Sequence, residues 1–502
     1  MNHTLKRVLL VHSLSAKDNT TDPDFRIAPI GLFFISGALR RHGYDTFILP
    51  IRLPLFLSDA DTSAAYHREL KEIIRNFNPH VVGYSFRNLY RFTPPENGSR
   101  SLMDYFCLSQ DIPVIRFLRE CTDVPFIGGG SAFSLAPDLF MTALGLDYGI
   151  QGEGEEPMVM LLNRLSHHRE VWDIPGLVYQ KNHTLVKNPC ASCNGDEWHP
   201  MDLSGMDLLK PLYYANGGYG SVQTKRGCAF HCSYCVYPFL EGTVYRLRPV
   251  PMIIDELTRY CREFNMKHIY FVDSVFSNPE SHSRTVAESI IEHNLPINWY
   301  AYVNPINLNP DLLETYKASG CAGLVLTLDS GDNRILEALN KRFTVADAVR
   351  AVNNLKASHI PFEVSMLIGS PGENGETLQR TLAFSRDHLR TVPVTFTPGV
   401  WMHPVSPVYT NYHTSSQPDM TALSRLVLSN DFPGHNALHY FFSDQADKPA
   451  LLRMFFQAVE KEPLWFVLGK DMVPDALSGI MRFPGAHVAR YTRPWHTGIS
   501  AP

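Results

Sequence analysis

The sequence predicts an α/β protein in three parts, and three features of the chain lead to that prediction. Short apolar runs alternate with helical patterns through residues 1–160, and the same alternation returns in residues 220–400. The last 100 residues lack this rhythm and are rich in aromatic residues and histidine. Strand–helix alternation is typical of parallel sheets covered by helices. We therefore expect two α/β domains followed by a small, mostly helical C-terminal domain.

The first part of the chain is predicted to form a parallel sheet with helices on both faces. Apolar runs predict strands over residues 8–11, 46–49, 81–85, 125–130 and 148–150. Helical spacing of apolar residues predicts helices over residues 30–40, 66–77 and 114–120. Because ligands of such sheets bind at the carboxyl ends of the strands, a binding site is expected at that edge.

Glycines cluster at the predicted strand ends of this first part. They are Gly83, Gly128, Gly129, Gly130, Gly152 and Gly154. A residue without a side chain either permits a tight turn or lets the backbone approach a ligand closely. For any single glycine the tight turn is the simpler interpretation, whereas several glycines at one edge favour a ligand cleft.

Residues 181–218 are predicted to be a linker, because turn-forming residues dominate residues 188–195. The segment carries a Cys-x-x-Cys pair at Cys190 and Cys193. A structural zinc site normally needs four ligands, and no second pair or histidine partner stands at zinc-finger spacing. The pair is therefore interpreted as two incidental thiols, with zinc as the alternative.

About six βα units are predicted in the central part. The candidate strands are residues 220–224, 268–272, 299–302, 323–327, 362–368 and 393–396, and helices such as residues 251–264 and 332–340 lie between them. Six units are too few for an eight-stranded barrel, so we expect a partial barrel with its catalytic groups at the C-terminal strand ends. The predicted domain bounds are 1–180, 219–402 and 403–502, with the linker at 181–218.

Composition argues against several classes of protein. Of the 502 residues, 44% are hydrophobic and 19% are charged, which argues against wholesale disorder. No apolar run reaches the roughly 18 residues of a membrane span, and residues 8–11 are too short an apolar run for a signal peptide. The net charge of −5 offers no basic surplus for nucleic acid. Nine cysteines without an export signal indicate a cytoplasmic protein whose clustered thiols bind metal.

The strongest motif is a Cys-x3-Cys-x2-Cys array at Cys228, Cys232 and Cys235, directly after a predicted strand. Thiolates favour iron–sulfur clusters or zinc. Three cysteines in eight residues can hold one face of a cubane and leave the fourth iron open to a substrate or cofactor. A closed zinc site needs a fourth ligand, and the nearby His231 lies within the loop itself. The motif therefore favours an iron–sulfur cluster.

With the aromatic Tyr234 before the last cysteine, this array resembles the signature of radical S-adenosylmethionine (SAM) enzymes. The resemblance extends through residues 223–228, 271–276, 326–331 and 367–373. It implies a partial (βα)6 TIM barrel in which the three cysteines bind a [4Fe–4S] cluster and SAM is cleaved to a 5′-deoxyadenosyl radical. The residues implied to bind SAM are Tyr234, Asp273, Ser274, Asp329, Ser330 and Gly369. Asp329 stands where the family has Glu, so its reach is one methylene shorter.

A second resemblance, to the cobalamin-binding domain of class B radical SAM enzymes, covers the first part of the chain. It is carried by residues 28–32, 41–44, 82–85, 127–131 and 148–155. It implies a Rossmann-like, flavodoxin-like domain that binds cobalamin through Ser85, Arg87, Gly128, Gly129, Gly130, Ser131, Gly152 and Glu153. A solvated loop position is the equal alternative for Arg87. The Asp-x-His-x-x-Gly motif is absent, so we expect no histidine on the cobalt from that motif.

Together the resemblances imply a cobalamin-dependent radical SAM enzyme. The first hypothesis is a methyltransferase that moves a methyl group from methylcobalamin to an unactivated carbon of a small-molecule or peptide substrate. The alternatives are a cyclase or rearrangement catalyst with the same cofactors, a radical SAM enzyme with a vestigial N-terminal domain, and a cobalamin- or redox-sensing binding protein. An external electron donor of the flavodoxin or ferredoxin type is the other expected partner. Trp299 and Tyr302 either line a substrate pocket or, more simply, pack in the core.

Overall fold

The computed structural model describes residues 5–14, 28–86, 108–190, 198–213, 219–401, 405–408, 439–440, 448–459 and 461–467. These residues form two compact units, which divide between residues 213 and 219. Among them, no helix is both long enough and apolar enough to cross a membrane.

The first unit is built on a seven-stranded sheet with the order β2-β1-β3-β4-β5-β6-β7. Its strands are β1 (Arg7–Leu14), β2 (Asp45–Arg52), β3 (Val81–Ser85), β4 (Phe126–Gly129), β5 (Tyr148–Ile150), β6 (Leu177–Lys181) and β7 (Thr184–Lys187). The first five are parallel, while β6 and β7 are antiparallel to their neighbours. All five predicted strands are therefore confirmed, and an antiparallel hairpin extends the sheet.

Helices precede, separate or follow the strands of the first unit along the chain. They are α1 (Ile30–Arg41), α2 (Leu53–Phe56), α3 (Ala60–Phe77), α4 (Leu108–Cys121), α5 (Ser131–Leu135), α6 (Pro137–Leu144), α7 (Glu155–Ser166) and α8 (Met206–Tyr213). Helix α3 shows why such segments are helical. The Asp59 carboxylate caps its first turn by accepting from the backbone of Asp61 and Thr62. Tyr66, Leu70 and Ile74, spaced four residues apart, form its buried face.

The hairpin of β6 and β7 and the helix α8 show that the segment predicted to be a linker contains regular structure. The turn consists of Asn182 and His183, both with positive φ angles, of 49° and 61°. Two left-handed residues make a turn whose twist matches that of the flanking strands. Asn182 and His183 thus form the turn of a hairpin at the sheet edge, whereas the turn-forming residues 188–195, on which the linker prediction is based, follow β7 in the sequence.

The second unit contains a parallel sheet with the order β18-β15-β14-β13-β12-β11-β8. The strands of this unit are β8 (Gly220–Val222), β9 (Lys225–Arg226), β10 (Arg246–Leu247), β11 (His268–Phe271), β12 (Asn298–Val303), β13 (Cys321–Asp329), β14 (Phe362–Ile368), β15 (Val394–Pro398), β16 (Val400–Trp401), β17 (His439–Tyr440) and β18 (Trp465–Val467). The six predicted strands correspond to β8 and β11 to β15. The unit is a partial barrel, as predicted.

Helices alternate with these strands. They are α9 (Tyr237–Glu241), α10 (Val250–Arg262), α11 (Glu280–Glu292), α12 (Pro310–Ala318), α13 (Asn333–Ala338), α14 (Val345–Ser358), α15 (Gly375–His388) and α16 (Lys448–Val459). The described C-terminal residues thus include α16 and the strand β18. Strand β18 pairs with β15 in parallel, and Trp465 packs on Phe396 with ring centroids 5.2 Å apart.

Trp299 belongs to the core of the second unit. Its side chain is fully buried, packs on Phe271, Phe276 and Tyr316, and donates from Nε1 to the Ser319 carbonyl oxygen at 3.1 Å. Tyr302 lies three positions along the same strand, so it points to the opposite face, where it is half-buried. The structure therefore assigns Trp299 to core packing and leaves Tyr302 on the inner face of the barrel.

Candidate functional site

The loop with Cys228, Cys232 and Cys235 follows the short strand β9. Strand β9 pairs with β10, with Arg226 opposite Arg246. The Cys228 backbone N–H donates to the Gly242 carbonyl oxygen at 3.0 Å, and the Cys235 N–H donates to the Cys232 carbonyl oxygen at 3.0 Å. The first bond ties the start of the loop to the returning chain, and the second forms a tight turn between the last two cysteines.

Gly227, at the start of this loop, must be a glycine. Its φ angle is +88°, and a Cβ atom added there would lie 2.1 Å from the Val244 carbonyl oxygen. Both the left-handed conformation and the close approach of the two backbones exclude a side chain. The glycine therefore lets the returning chain close over the cysteine loop.

Asp273, which follows β11, holds the start of the cysteine loop. Its Oδ1 atom accepts from the Thr224 N–H at 2.7 Å and from the Lys225 N–H at 3.2 Å, and its Oδ2 atom accepts from the Thr224 hydroxyl at 2.5 Å. The Lys225 ammonium lies 3.3 Å from the same carboxylate, and both side chains are buried. The neighbouring Ser274 hydroxyl donates to the Gly227 carbonyl oxygen at 3.4 Å. These two predicted SAM-binding residues therefore also position the loop.

The segment Leu339–Lys341, after α13, forms three hydrogen bonds with the cysteine loop. The Ser233 N–H donates to the Leu339 carbonyl oxygen at 2.9 Å. The Asn340 side-chain amide donates to the His231 carbonyl oxygen at 2.6 Å. Lys341 donates from Nζ to the Tyr234 hydroxyl at 3.0 Å. Three consecutive residues therefore fix the middle of the loop.

Tyr234, Asp329 and Lys341 form a buried polar cluster beside the thiols. The Tyr234 hydroxyl donates to Asp329 Oδ2 at 2.7 Å, and Lys341 pairs with the same carboxylate. Burial and the Asp329 charge raise the pKa of Tyr234 well above its usual value. Burial alone would lower the pKa of Lys341, but Asp329 and the neighbouring acidic groups raise it well above the usual value. A protonated lysine therefore stands next to Cys232, a feature that no local sequence pattern indicated.

The three thiols are close enough to affect one another. Burial raises the pKa of Cys228, and burial raises that of Cys235 to about 12; in both cases neighbouring cysteine charges add to the increase. Within the described part of the chain, no three His, Cys, Asp or Glu side chains are arranged around a single metal ion. Clustered soft sulfur ligands flanked by a lysine fit a polynuclear iron–sulfur group bound through thiolates.

The predicted SAM residues Ser330 and Gly369 lie at the C-terminal ends of β13 and β14. The Ser330 hydroxyl is fully buried, 3.0 Å from the Thr381 hydroxyl, and accepts from the Asp332 N–H at 3.1 Å. The Gly369 N–H donates to Glu373 Oε2. Asp273, Asp329, Ser330 and Gly369 thus share one edge of the sheet, where catalytic groups of βα barrels gather. Their contacts with SAM stay predictions.

Two buried polar atoms after β14 have no hydrogen-bond partner within the part of the chain that the structure describes. They are Glu373 Oε1 and the Ser370 hydroxyl oxygen, neither of which has a hydrogen bond to any described residue. Burial raises the pKa of Glu373 from about 4.5 to about 7, although its Oε2 atom accepts from the Ser370 N–H at 3.3 Å. Buried polar atoms are normally paired, so these two atoms indicate that the loop is built to receive a polar ligand.

Replacing Glu373 with glutamine is expected to change how stability depends on pH. Between pH 4.5 and about 7 the unfolded chain releases this proton and the folded protein keeps it, so the wild type loses stability as the pH rises. The variant has no proton to release at this position. Its free energy of unfolding, relative to that of the wild type, should therefore rise by roughly 3 kcal/mol across this pH range, because one pKa unit corresponds to about 1.4 kcal/mol. Urea unfolding at pH 5 and pH 8 measures the difference. The exposed Glu376→Gln is the control, and equal pH profiles for all three proteins would contradict the prediction.

In the first unit, Ser85 lies at the point where the strand order reverses. It ends β3 and is paired in register with Gly129 of β4 and with His12 of β1. The crevice at such a reversal, outside the carboxyl strand ends, is the usual ligand site of an open parallel sheet. The buried His12 belongs to this row; it directly follows the strand predicted over residues 8–11, but the sequence alone did not single it out.

The glycines of this edge serve two purposes. A Cβ atom at Gly128 would lie 2.5 Å from the Leu146 side chain, and one at Gly130, where φ is +97°, would lie 2.7 Å from the Phe86 carbonyl oxygen. These two glycines therefore permit close packing within the protein. A Cβ atom at Gly129 would meet only the Ile150 carbonyl oxygen, at 3.7 Å, so the backbone there is open and fits a ligand laid across the strand ends.

The remaining predicted cobalamin residues lie nearby or outside the described residues. Ser131 begins α5. The Gly152 N–H donates to the Ser134 hydroxyl at 2.9 Å, which links the loop after β5 to α5. Glu153 follows in that loop and is half-buried. Arg87 and Cys193 lie outside the described residues. The roles of these residues toward cobalamin stay predictions.

Two family models match this chain. Residues 222–385 match the radical SAM superfamily, and residues 17–162 match the B12 binding domain. The first match spans the cysteine loop and the barrel strands β11 to β14. The second spans most of the parallel sheet of the first unit.

Three curated proteins are similar to this chain over about 70% of its length. An uncharacterized methyltransferase of Pyrococcus horikoshii is 26% identical over 71% of this chain and 73% of its own length. The tryptophan 2-C-methyltransferase of Streptomyces laurentii is 25% identical over 70% of this chain and 67% of its own. The anaerobic magnesium-protoporphyrin IX monomethyl ester cyclase of Rubrivivax gelatinosus is 23% identical over 72% of this chain and 62% of its own.

A solved structure shares the fold. It is the radical SAM methyltransferase TsrM from Kitasatospora setae, determined with tryptophan and a SAM analogue bound. The two chains superpose with a TM-score of 0.76 and 20% sequence identity, over 98% of this chain and 97% of that one. At this identity the likeness concerns the fold.

Proposed function

We propose that this chain, a member of the radical SAM superfamily that also carries a B12-binding domain, is a cobalamin-dependent methyltransferase. The methyl acceptor is a carbon atom of a small-molecule or peptide substrate. The observation that carries the proposal is the combination, in one chain, of a cysteine loop clamped at a barrel edge and a parallel sheet with a ligand crevice. Two methyltransferases among the relatives support methylation over other outcomes.

The residues present fit the cofactors that the two domains imply. Cys228, Cys232 and Cys235 would hold the [4Fe–4S] cluster, and SAM would lie at the barrel edge that carries Asp329 and Gly369. Cobalamin would lie on the crevice at Ser85 and Gly129. When bound, the cluster supplies single electrons to SAM, and cobalamin supplies a carrier for a methyl group. An external electron donor of the flavodoxin or ferredoxin type belongs to the same proposal.

The described side chains prepare this site in three ways. Asp273 and the segment Leu339–Lys341 hold the thiols in place before any cofactor binds. Lys341 places a positive charge beside sulfur atoms that bind iron as thiolates, which offsets part of their mutual repulsion. Its ammonium also offers a partner for an anionic group such as a carboxylate. The hydroxyl of Tyr234, held between Asp329 and Lys341, keeps that ammonium in position.

A second candidate function is cyclisation with the same cofactors and without net methylation. The observation in its favour is the similarity to the magnesium-protoporphyrin cyclase over 72% of this chain. The two functions differ in what happens to the methyl group of SAM. A labelled methyl group distinguishes them.

Anaerobic reconstitution with iron, sulfide and hydroxocobalamin tests the proposal. We expect about four irons per chain, as a [4Fe–4S] cluster requires, together with corrinoid bands in the visible spectrum of the desalted protein. Incubation with methyl-labelled SAM, a reductant and candidate substrates should then give a product that carries the label. Iron without corrinoid would contradict the cobalamin part of the proposal. A product without label would favour the cyclase.

A further inference from the structure

Tyr245 presents a buried hydroxyl group at the cysteine loop. It directly precedes Arg246, which pairs with Arg226 across the β9–β10 ladder, so Tyr245 runs alongside Gly227 and Cys228. Its hydroxyl group is buried and donates to no described residue; the nearby Ala229 backbone N–H can only donate to the phenol oxygen, so the hydroxyl proton is left without an acceptor. Leaving a buried donor unpaired is unfavourable. Its partner is therefore a group that the described polypeptide does not supply.

The cysteine loop and Lys225 surround the side chain of Tyr245. The antiparallel register sets Tyr245 opposite Gly227, the residue before Cys228. In keeping with this position, burial raises the pKa of Tyr245 and the charges of Cys228 and Cys232 raise it further, while the Ala229 backbone N–H lowers it. The Lys225 ammonium lies 5.9 Å from the centre of the Tyr245 ring. That ammonium is paired with the Asp273 carboxylate. Its cation–π contact therefore holds the Tyr245 ring against a side chain whose own position is fixed.

We propose that Tyr245 is a positioning residue that donates a hydrogen bond to a sulfur atom of the cluster held by Cys228, Cys232 and Cys235. The proposal rests on the proposed function, because it requires that cluster. A hydrogen bond to sulfur draws negative charge away from the cluster and stabilises its reduced form, which raises the reduction potential. Tyr245 thereby sets how readily the cluster accepts the electron that SAM cleavage consumes.

Substitution of Tyr245 by phenylalanine tests this role, because it removes the hydroxyl and keeps the ring. After anaerobic reconstitution we expect wild-type iron content. In a redox titration followed by electron paramagnetic resonance (EPR), the ratio of reduced to oxidised cluster at a fixed potential should fall three- to tenfold. A tenfold fall corresponds to a potential lower by about 59 mV for one electron.

Tyr316→Phe is the matched control. Tyr316 is a buried tyrosine of the same unit whose hydroxyl donates to the Ser283 hydroxyl at 2.8 Å, so its loss removes a buried phenol elsewhere. We expect a wild-type potential in this variant.

Pulsed EPR in H2O and D2O adds a direct readout. An exchangeable proton coupled to the cluster should be present in the wild type and in Tyr316→Phe, and it should be missing in Tyr245→Phe.

Two results would overturn the proposal. One is an unchanged potential with the coupled proton retained in Tyr245→Phe. The other is loss of iron in that variant alone, which would show that Tyr245 builds the loop instead of contacting the cluster. A wild-type protein that binds no iron would contradict the proposed function itself, so the two failures are distinguishable.

Discussion

Replacing Cys228 with alanine is expected to lower the iron content after reconstitution by at least about tenfold, since even the loss of residues that support metal ligands costs 10–100-fold in affinity. Cys228 is the buried member of the three thiols, and its backbone N–H is held by Gly242. Its sulfur therefore has a fixed position that the two remaining thiols cannot replace. Iron analysis and the visible spectrum measure the loss, and 5′-deoxyadenosine formation should fall to background.

Cys261→Ala is the matched control for this experiment. Cys261 is also a buried cysteine of the second unit, but it lies on α10 and its thiol donates to the Thr258 carbonyl oxygen at 3.4 Å. We expect wild-type iron content and wild-type SAM cleavage in this variant. If Cys228→Ala kept its iron, or still produced 5′-deoxyadenosine, the three-cysteine site would be wrong. Equal iron loss in both variants would point to damage of the fold.

Replacing Lys341 with methionine should lower the free energy of unfolding of the cofactor-free protein by about 3–5 kcal/mol. Removing one partner of a buried ion pair leaves the other charge uncompensated, and such losses fall in this range. Here the charge left behind is Asp329, buried together with Lys341. Asp329 also has a φ angle of +67°, so the position already carries backbone strain. Urea unfolding at pH 7 measures the change.

Two further variants test whether the unpaired charge of Asp329 causes this loss of stability. Lys317→Met removes an exposed lysine whose ammonium donates to the Ser358 carbonyl oxygen, and it should change stability by less than about 0.5 kcal/mol. The double variant Lys341→Met with Asp329→Asn removes both charges and should recover most of the stability. If Lys341→Met were as stable as Lys317→Met, the Asp329–Lys341 pair would not support the cysteine loop.

Local patterns predicted the elements well and the contacts around the cysteines poorly. Apolar runs and helical spacing are properties of neighbouring residues, so the strands of both sheets followed from them. The contacts that hold the cysteine loop join residues far apart in sequence. Asp273 and Thr224 are 49 residues apart, Tyr234 and Asp329 are 95 apart, and Lys341 and Tyr234 are 107 apart. No periodicity relates such positions.

The segment predicted to be a linker also shows that local patterns do not reveal which distant segments pair. Turn-forming residues mark a change of direction equally in a linker and in a hairpin, and the predicted linker includes the hairpin turn at Asn182 and His183. Only the pairing of β6 with β5 decides that this turn belongs to the sheet. Strand β18 is similar, because a run of two aromatic residues and a valine becomes a strand when β15 is available to pair with it.

By itself the sequence determined the two α/β architectures and the three cysteines that we propose as cluster ligands, because strand periodicity and cysteine spacing are encoded over a few neighbouring positions. The tertiary structure alone decided which groups surround those sulfurs: the Asp273 clamp, the Lys341 charge and the Tyr245 hydroxyl. The physical reason is that burial strengthens charge and hydrogen-bond interactions. Which groups become buried together depends on how distant segments pack.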